Sequence, residues 1–81
     1  TQRARARVRM KVYIQDELDT AYEPIAYHVV LLNRYGYIAE EYYYEAVIDR
    51  PLGLRRARHK AQELAEKYDA DIYDDTNIAE W

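Results

Sequence analysis

The chain has no cysteine, no serine and no phenylalanine among its 81 residues, and it has only two glycines. Without cysteine there is no disulfide scaffold, thiolate metal site or cysteine nucleophile, and without serine there is no serine nucleophile. Two glycines are too few for a glycine-rich phosphate-binding loop. We therefore expect a protein that is not an enzyme, that carries no cofactor or metal ion and that has no small-molecule substrate.

The chain also lacks a long apolar run. The longest, residues 25–32, is interrupted by Tyr27 and His28 and is far shorter than the roughly 18–20 residues of a membrane span. No apolar stretch follows the basic N-terminal residues, as it would in a signal peptide. These patterns predict a cytoplasmic protein that does not contact a membrane. The length predicts a single small domain over residues 1–81.

Charge, by contrast, is abundant and is segregated along the chain. The net charge is −3, but residues 1–11 carry +5, residues 12–49 carry −7, residues 50–60 carry +5 and residues 61–81 carry −6. Like charges concentrated in this way either meet opposite charges in the fold or meet a charged partner.

The first half of the chain predicts three strands. Apolar and polar residues alternate strictly over residues 3–15, which indicates a half-buried strand, and residues 16–23 form a polar connection. Residues 25–32 are apolar on both faces of a strand, and residues 37–49 are rich in tyrosine, isoleucine and valine. The intervening Asn33-Arg34-Tyr35-Gly36 predicts a tight hairpin turn.

The length of this turn determines which residues face each other. If the loop holds all four residues, Leu32 lies opposite Tyr37 and His28 lies opposite Glu41. One face of the sheet then collects a mainly apolar set in which Glu40 is the misfit, comprising Ile25, Tyr27, Val29, Leu31, Ile38, Glu40, Tyr42, Tyr44, Ala46 and Ile48.

The second half predicts a helix and a short strand. Pro51 ends the third strand, and a helix over about residues 53–68 has one apolar stripe formed by Leu54, Ala57, Ala61, Leu64, Ala65 and Tyr68. A short strand at about residues 70–73 precedes a polar tail to residue 81. The predicted fold is α+β, an antiparallel β-meander with one helix packed on one face, in the order β-β-β-α-β.

The arginines of the first predicted strand form a row on one strand face, about 6.6–6.8 Å apart. This spacing resembles that of phosphates along nucleic acid, and arginine binds phosphate or guanine with its forked donors. The alternative is a strand edge protected by charge or paired with acids. The possible phosphate contacts are Arg3 and Lys11 in this row and Arg55, Arg56 and Arg58 at the start of the helix.

The middle strand is the most informative element, because it has two apolar faces and the chain has one helix to cover them. Val30 and Leu32 lie on the second face, for which only the tail with Trp81 remains as a cover. An apolar patch rimmed by arginine and tyrosine is typical of protein–protein contacts. The predicted partner-binding residues are Arg5, Arg7, Arg9, His28, Val30, Leu32, Glu41 and Tyr43.

One acidic segment has part of the spacing of a calcium-binding loop. Asp69 and Asp71 stand at the first and third loop positions, but Tyr73 and Asp74 stand where a ligand and a glycine are needed. We therefore expect no calcium site.

The leading hypothesis is a small non-enzymatic interaction protein that acts as a regulator, inhibitor or assembly factor, with the size and composition of some phage-encoded proteins. It would bind a protein partner or a second copy through the uncovered sheet face. The alternatives are a nucleic-acid-binding module that uses the arginine row and an engineered scaffold without a natural ligand. Fold alone does not decide between them.

Overall fold

A computed structural model describes residues 9–76 of the chain. The elements are β1 (Lys11–Leu18), β2 (Pro24–Leu32), β3 (Ile38–Glu45), α1 (Arg50–Tyr68) and β4 (Asp71–Asp75). The strands form one sheet in the order β3-β2-β1-β4, with α1 packed on one face. The predicted α+β class, the element order and the single covering helix are confirmed.

The sheet is mixed because its last strand joins it in parallel. Strands β1, β2 and β3 form the predicted antiparallel meander, while β4 pairs in parallel with β1 at the opposite edge from β3. Strands β3 and β4 therefore run in the same direction, and α1 is the crossover between them. A parallel return of this kind needs a long connection, usually a helix, so the 19 residues of α1 both span the sheet and cover it.

The predicted stripe of α1 forms half of the core. Leu54, Ala57, Ala61 and Leu64 are buried against side chains from the inner face of β1 and β2. The three alanines predicted in the stripe, of which Ala57 and Ala61 are fully buried, let the helix approach the sheet closely. The β1 and β2 residues of this core are Val12, Ile14, Tyr27, Val29 and Leu31.

The helix starts three residues earlier than predicted. Asp49 caps its N-terminus by accepting a hydrogen bond from the Leu52 amide at 3.0 Å, and Pro51 lies in the first turn, where its missing N–H costs nothing. Gly53 then sits directly on the end of β3: a Cβ there would lie 2.3 Å from the Glu45 carbonyl oxygen. The glycine is required by this contact rather than by its backbone angles.

Both hairpins are closed by the same type of three-residue loop. In the second, the Asn33 amide donates to the Tyr37 carbonyl at 2.8 Å and the Gly36 amide donates to the Asn33 carbonyl at 2.9 Å, with Gly36 at φ +89°. In the first, Asp19 and Glu23 occupy the closing positions, and Tyr22 takes the left-handed conformation at φ +63°. A type I turn followed by a left-handed residue is a common three-residue hairpin.

This loop changes the register that a four-residue loop predicts. Leu32 lies opposite Ile38 rather than Tyr37, and a second irregularity between Leu31 and Leu32 places Leu31 opposite Glu40. Two slips of one residue add up to the two-residue period of a strand, so most residues keep their predicted face. The exception is Ile38, which lies between the slips and faces away from the helix, so its predicted core position is wrong.

Strand ends also differ from the prediction. Strand β1 continues to Leu18, beyond the predicted end at residue 15, and its predicted beginning at residues 3–8 lies outside the described residues. Strand β3 ends at Glu45, because the Glu45 carboxylate accepts hydrogen bonds from the amides of Val47 and Ile48 and turns the chain toward α1. Ile48 is therefore exposed rather than in the core, and Ile25 at the end of the sheet is also partly exposed.

The misfit Glu40 has a structural role on the helix side of the sheet. Its carboxylate accepts hydrogen bonds from the hydroxyl groups of Tyr42, at 2.6 Å, and of Tyr68 on α1. These two hydrogen bonds lower the pKa of Glu40 and raise the pKa of both tyrosines. The cluster fastens the C-terminal end of α1 to the edge strand β3.

Candidate functional site

The sheet face opposite α1 carries residues that alternate with the core positions. We call this surface the open face, because among residues 9–76 no element packs over it. Three rows cross the strands in the order β3, β2, β1 and β4: Tyr43–His28–Gln15–Asp75, Glu41–Val30–Tyr13–Tyr73 and Ile38–Leu32–Lys11–Asp71. A fourth row, on three strands, is Glu45–Ala26–Glu17.

His28 lies near the centre of this face and touches a ring and two acids. Its imidazole stacks on Tyr43, with 4.1 Å between ring centroids and 3° between ring planes. Its Nε2 lies 2.8 Å from Oε1 of Glu41, and its Nδ1 lies 3.8 Å from Oε2 of Glu17. The expected contact between His28 and Glu41 is present, but the two residues are diagonal neighbours because Tyr43 stands directly opposite His28.

A second pair of stacked rings lies on the other side of the face. Tyr13 on β1 stacks on Tyr73 on β4, with 5.1 Å between ring centroids and 20° between ring planes. The two residues are direct neighbours in the parallel pairing of these strands. Because offset and parallel ring contacts add to the stability of cross-strand pairs, this stack helps to hold the short edge strand β4 in place.

A shallow concavity lies between the two aromatic pairs. It has a volume of about 360 Å³ and is lined by Tyr13, Gln15, His28, Val30, Leu32 and Ile38. Val30 forms its floor and is only 7% exposed, since neighbouring side chains surround it. Val30 is therefore less accessible than the sequence suggests, and the accessible apolar surface comes from Tyr43, Tyr73 and Ile38, which are 61%, 43% and 56% exposed.

The charge of the open face is mainly negative. Besides His28 and the tyrosines, the ionisable residues in the described rows are one lysine, Lys11, and five carboxylates, Glu17, Glu41, Glu45, Asp71 and Asp75. Arg9, at the N-terminal end of β1, contacts Asp71 at 3.1 Å and Asp69 at 3.3 Å. The basic block at the start of the chain thus meets the acidic block at its end through this residue.

The predicted partner-binding residues divide into three groups. His28, Val30, Leu32, Glu41 and Tyr43 share the open face, as the strand pattern predicts. Arg9 is engaged by the two aspartates. The other two arginines predicted to bind a partner, Arg5 and Arg7, lie outside the described residues.

Those predicted phosphate contacts that the structure describes lie on two different sides of the sheet. Arg55, Arg56 and Arg58 belong to α1, which lies on the side of the sheet opposite Lys11, while Arg3 lies outside the described residues. Arg58 is engaged by Asp74, with 2.9 Å between Nε and Oδ2. Partial burial raises the pKa of Asp74, but hydrogen bonds from Thr76 and the Arg58 guanidinium outweigh it, and the pKa is lowered overall.

Sequence reasoning missed several residues of the open face. Glu17 was assigned to a connection, because the charged residues at 16 and 17 obscured a strand that continues to Leu18. Gln15 was predicted within the first strand but was not recognised as part of the site. Tyr73 was not predicted to face Tyr13, because a parallel pairing across a helical crossover leaves no local signal. The alternation of Gln15 and Glu17 with their neighbours was the available clue.

No group of three or more histidines or acids in residues 9–76 is arranged to hold a metal ion. The calcium-loop spacing is not realised, because Asp69 ends α1 in a left-handed conformation and Asp71 begins a strand.

No helix within the described part of the chain is long and apolar enough to cross a membrane.

A comparison of the chain with models of protein families, with curated proteins and with solved structures found no match.

Proposed function

We propose that this protein is a small non-enzymatic interaction protein, a regulator, inhibitor or assembly factor that binds a protein partner through the open face. The observation that carries the proposal is the pair of aromatic stacks, His28 on Tyr43 and Tyr13 on Tyr73, on either side of an apolar concavity. Tyrosine is one of the residue types enriched at binding hot spots, and rings already held in place lose little conformational freedom on binding.

The second face of the sheet also supports a binding role, because apolar side chains exposed to water are unfavourable. A sheet in a small α+β domain commonly packs one face on helices and presents polar residues on the other. Here the second face presents Tyr13, Tyr43, Tyr73, Leu32 and Ile38 among its charged residues. Apolar surface of this kind, rimmed by charge, is a feature of interaction sites.

Nucleic-acid binding is less well supported by the described residues. Phosphate binding needs a positive surface, whereas the described residues of the open face are mainly acidic. The basic residues of α1 lie on the opposite side of the sheet. Arg9 and Arg58 are both engaged by aspartates.

The proposal is tested with charged substitutions at exposed positions, because replacing the buried Val30 would disturb the fold. Tyr43→Lys and Tyr73→Lys change the open face, and Tyr35→Lys makes the same change at a 75% exposed tyrosine in the hairpin loop. Proteins that co-purify with each variant from the native host are compared, and the partner is then purified and its affinity measured directly. Circular dichroism establishes that each variant is folded.

We expect one partner to be lost with both open-face variants and kept with Tyr35→Lys. The purified partner should bind the open-face variants at least about tenfold more weakly, which corresponds to the loss of about 1.4 kcal/mol at a hot spot. A partner that binds all three variants equally would refute the proposal. So would a salt-sensitive mobility shift with duplex DNA that is unchanged in Tyr43→Lys and Tyr73→Lys.

A further inference from the structure

We infer that the partner presents a cationic segment to the open face, with arginine or lysine side chains that lie on its tyrosines and pair with its carboxylates. This inference rests on the proposed function and adds the chemistry of the partner.

The carboxylates of the open face lie on both sides of the concavity. Glu17 and Glu41 flank His28 on one side, while Asp71 and Asp75 belong to β4 on the other. Lys11 is the only lysine between them, and Arg9 reaches Asp71 alone among these four. An apolar centre with a negative rim complements an apolar partner surface with a positive rim, because complementary potentials steer association and exclude like-charged partners.

The two carboxylates beside His28 are both accessible to a partner, because the side chains of Glu17 and Glu41 are 46% and 44% exposed. Nε2 of His28 lies 2.8 Å from Oε1 of Glu41. Glu17 lies 3.8 Å from Nδ1, which is too long for a hydrogen bond, and its side chain is 46% exposed. A cation supplied by a partner between Glu17 and the stacked rings would pair with this exposed carboxylate in place of water.

The aromatic pairs favour the same ligand. Arginine and lysine bind favourably over the faces of tyrosine rings, and arginine does so while also pairing with a carboxylate. The protein uses this interaction elsewhere: Lys60 lies over the Tyr42 ring at 4.7 Å while its ammonium contacts Glu63 at 2.7 Å. The Tyr43 ring, next to Glu41, offers a partner the same combination on the open face.

A second copy of the protein is a poor occupant of the same surface. Among the described residues, two open faces brought together would place five carboxylates against five, with Lys11 and the aspartate-bound Arg9 as the lysine and arginine of each side. Like charges across an interface oppose association strongly. The occupant is therefore a different protein with a basic surface.

The test uses three synthetic peptides of eight residues. The first alternates threonine with three arginines and one leucine, so that the arginines and the leucine share one face when extended; the second and third have glutamine or glutamate in place of arginine. Each is titrated into the full-length, ¹⁵N-labelled protein, and chemical shifts are followed by NMR. The variants are Glu17→Gln combined with Glu41→Gln on the open face, and Glu63→Gln combined with Glu66→Gln on α1 as a control of equal charge.

We expect the arginine peptide to shift the amide signals of His28, Val30 and Tyr43. The open-face double variant should bind it about tenfold more weakly, the helix variant should bind it like the wild type, and the glutamate peptide should not bind. If the glutamine peptide binds this face as tightly as the arginine peptide, or if neither binds there, the inference is wrong; the proposed function is judged separately by its own variants.

Two further outcomes would also overturn the inference. Equal weakening by the two double variants would mean that the peptide is attracted only by the overall acidity of the protein. A variant with glutamine at Arg3, Arg5 and Arg7 that binds the arginine peptide about tenfold more tightly than the wild type would identify the N-terminal segment of the chain, rather than a partner, as the occupant.

Discussion

The imidazole ring of His28 lies flat on the phenol ring of Tyr43, with 4.1 Å between their centroids and 3° between their planes. The contact exists because β2 and β3 are shifted by two residues from the register that a four-residue hairpin loop gives. In that simpler register Glu41 would stand opposite His28. The loop at Asn33–Tyr37 therefore contributes to the candidate site although it lies outside it.

The left-handed residues of the two hairpin loops give opposite predictions. Gly36→Ala should destabilise the protein by about 1 kcal/mol, because a side chain at φ +89° is strained. Tyr22→Gly should stabilise it by about 0.5–1 kcal/mol, since the strain removed at φ +63° exceeds the entropic cost of glycine and the 82% exposed ring loses little contact. Urea unfolding measures both. A loss of stability in Tyr22→Gly would show that the ring makes an important contact.

Gly53 gives a prediction that runs against helix propensity. Alanine normally stabilises a helix by about 1 kcal/mol relative to glycine. Gly53→Ala should instead destabilise the protein by about 1–3 kcal/mol, because its Cβ would collide with the Glu45 carbonyl and force α1 away from β3. Gln62→Ala, at an exposed position of the same helix, is the control and should change the free energy of unfolding by less than about 0.5 kcal/mol. A stabilised Gly53→Ala would contradict the close contact.

The Glu40 cluster predicts a pH dependence of stability. Hydrogen bonds from Tyr42 and Tyr68 lower the pKa of Glu40 in the folded protein. Its contribution is therefore present above the unfolded pKa of about 4.3 and is lost as the pH falls through the lowered folded value. Tyr68→Phe should reduce the melting temperature at pH 7, and its difference from the wild type should shrink in acid.

The control for this experiment is Tyr35→Phe, which removes a hydroxyl group from an exposed loop residue. Its melting temperature should follow that of the wild type at every pH. The difference in melting temperature between Tyr68→Phe and the wild type could instead stay constant from pH 7 to pH 3. This result would mean that ionised Glu40 does not stabilise the protein through its hydrogen bond with Tyr68.

Patterns with a short period predicted most of the fold. Alternation placed Val12, Ile14, Tyr27 and Val29 on the core face, and the helical stripe placed Leu54 opposite them. These assignments depend on the residue periods of a strand and a helix, which can be read within a short stretch of sequence. A local signal of the same kind identified the second hairpin turn, in which Gly36 has a positive φ.

Features that depend on distant residues were not predictable in the same way. Strand β4 reaches β1 through the helical crossover. The neighbours of Tyr73 in the sequence therefore do not indicate that it lies next to Tyr13. The register of β2 and β3 depends on two irregularities of one residue that add up to a shift of two, and the sequence does not display them. Half of the candidate site, the His28, Glu41 and Tyr43 group, was recognised because a shift of two residues leaves each residue on its face.

The most direct measurement of the central claim, that the open face is the partner-binding surface, is site-specific photocrosslinking in the native host. A photoreactive phenylalanine analogue replaces Tyr43 or Tyr73 on the open face, or Tyr35 or Arg55 as exposed positions elsewhere. The account predicts one discrete protein adduct from positions 43 and 73 and none from positions 35 and 55. An adduct from position 55 and none from 43 or 73, or the same adducts from all four, would contradict it.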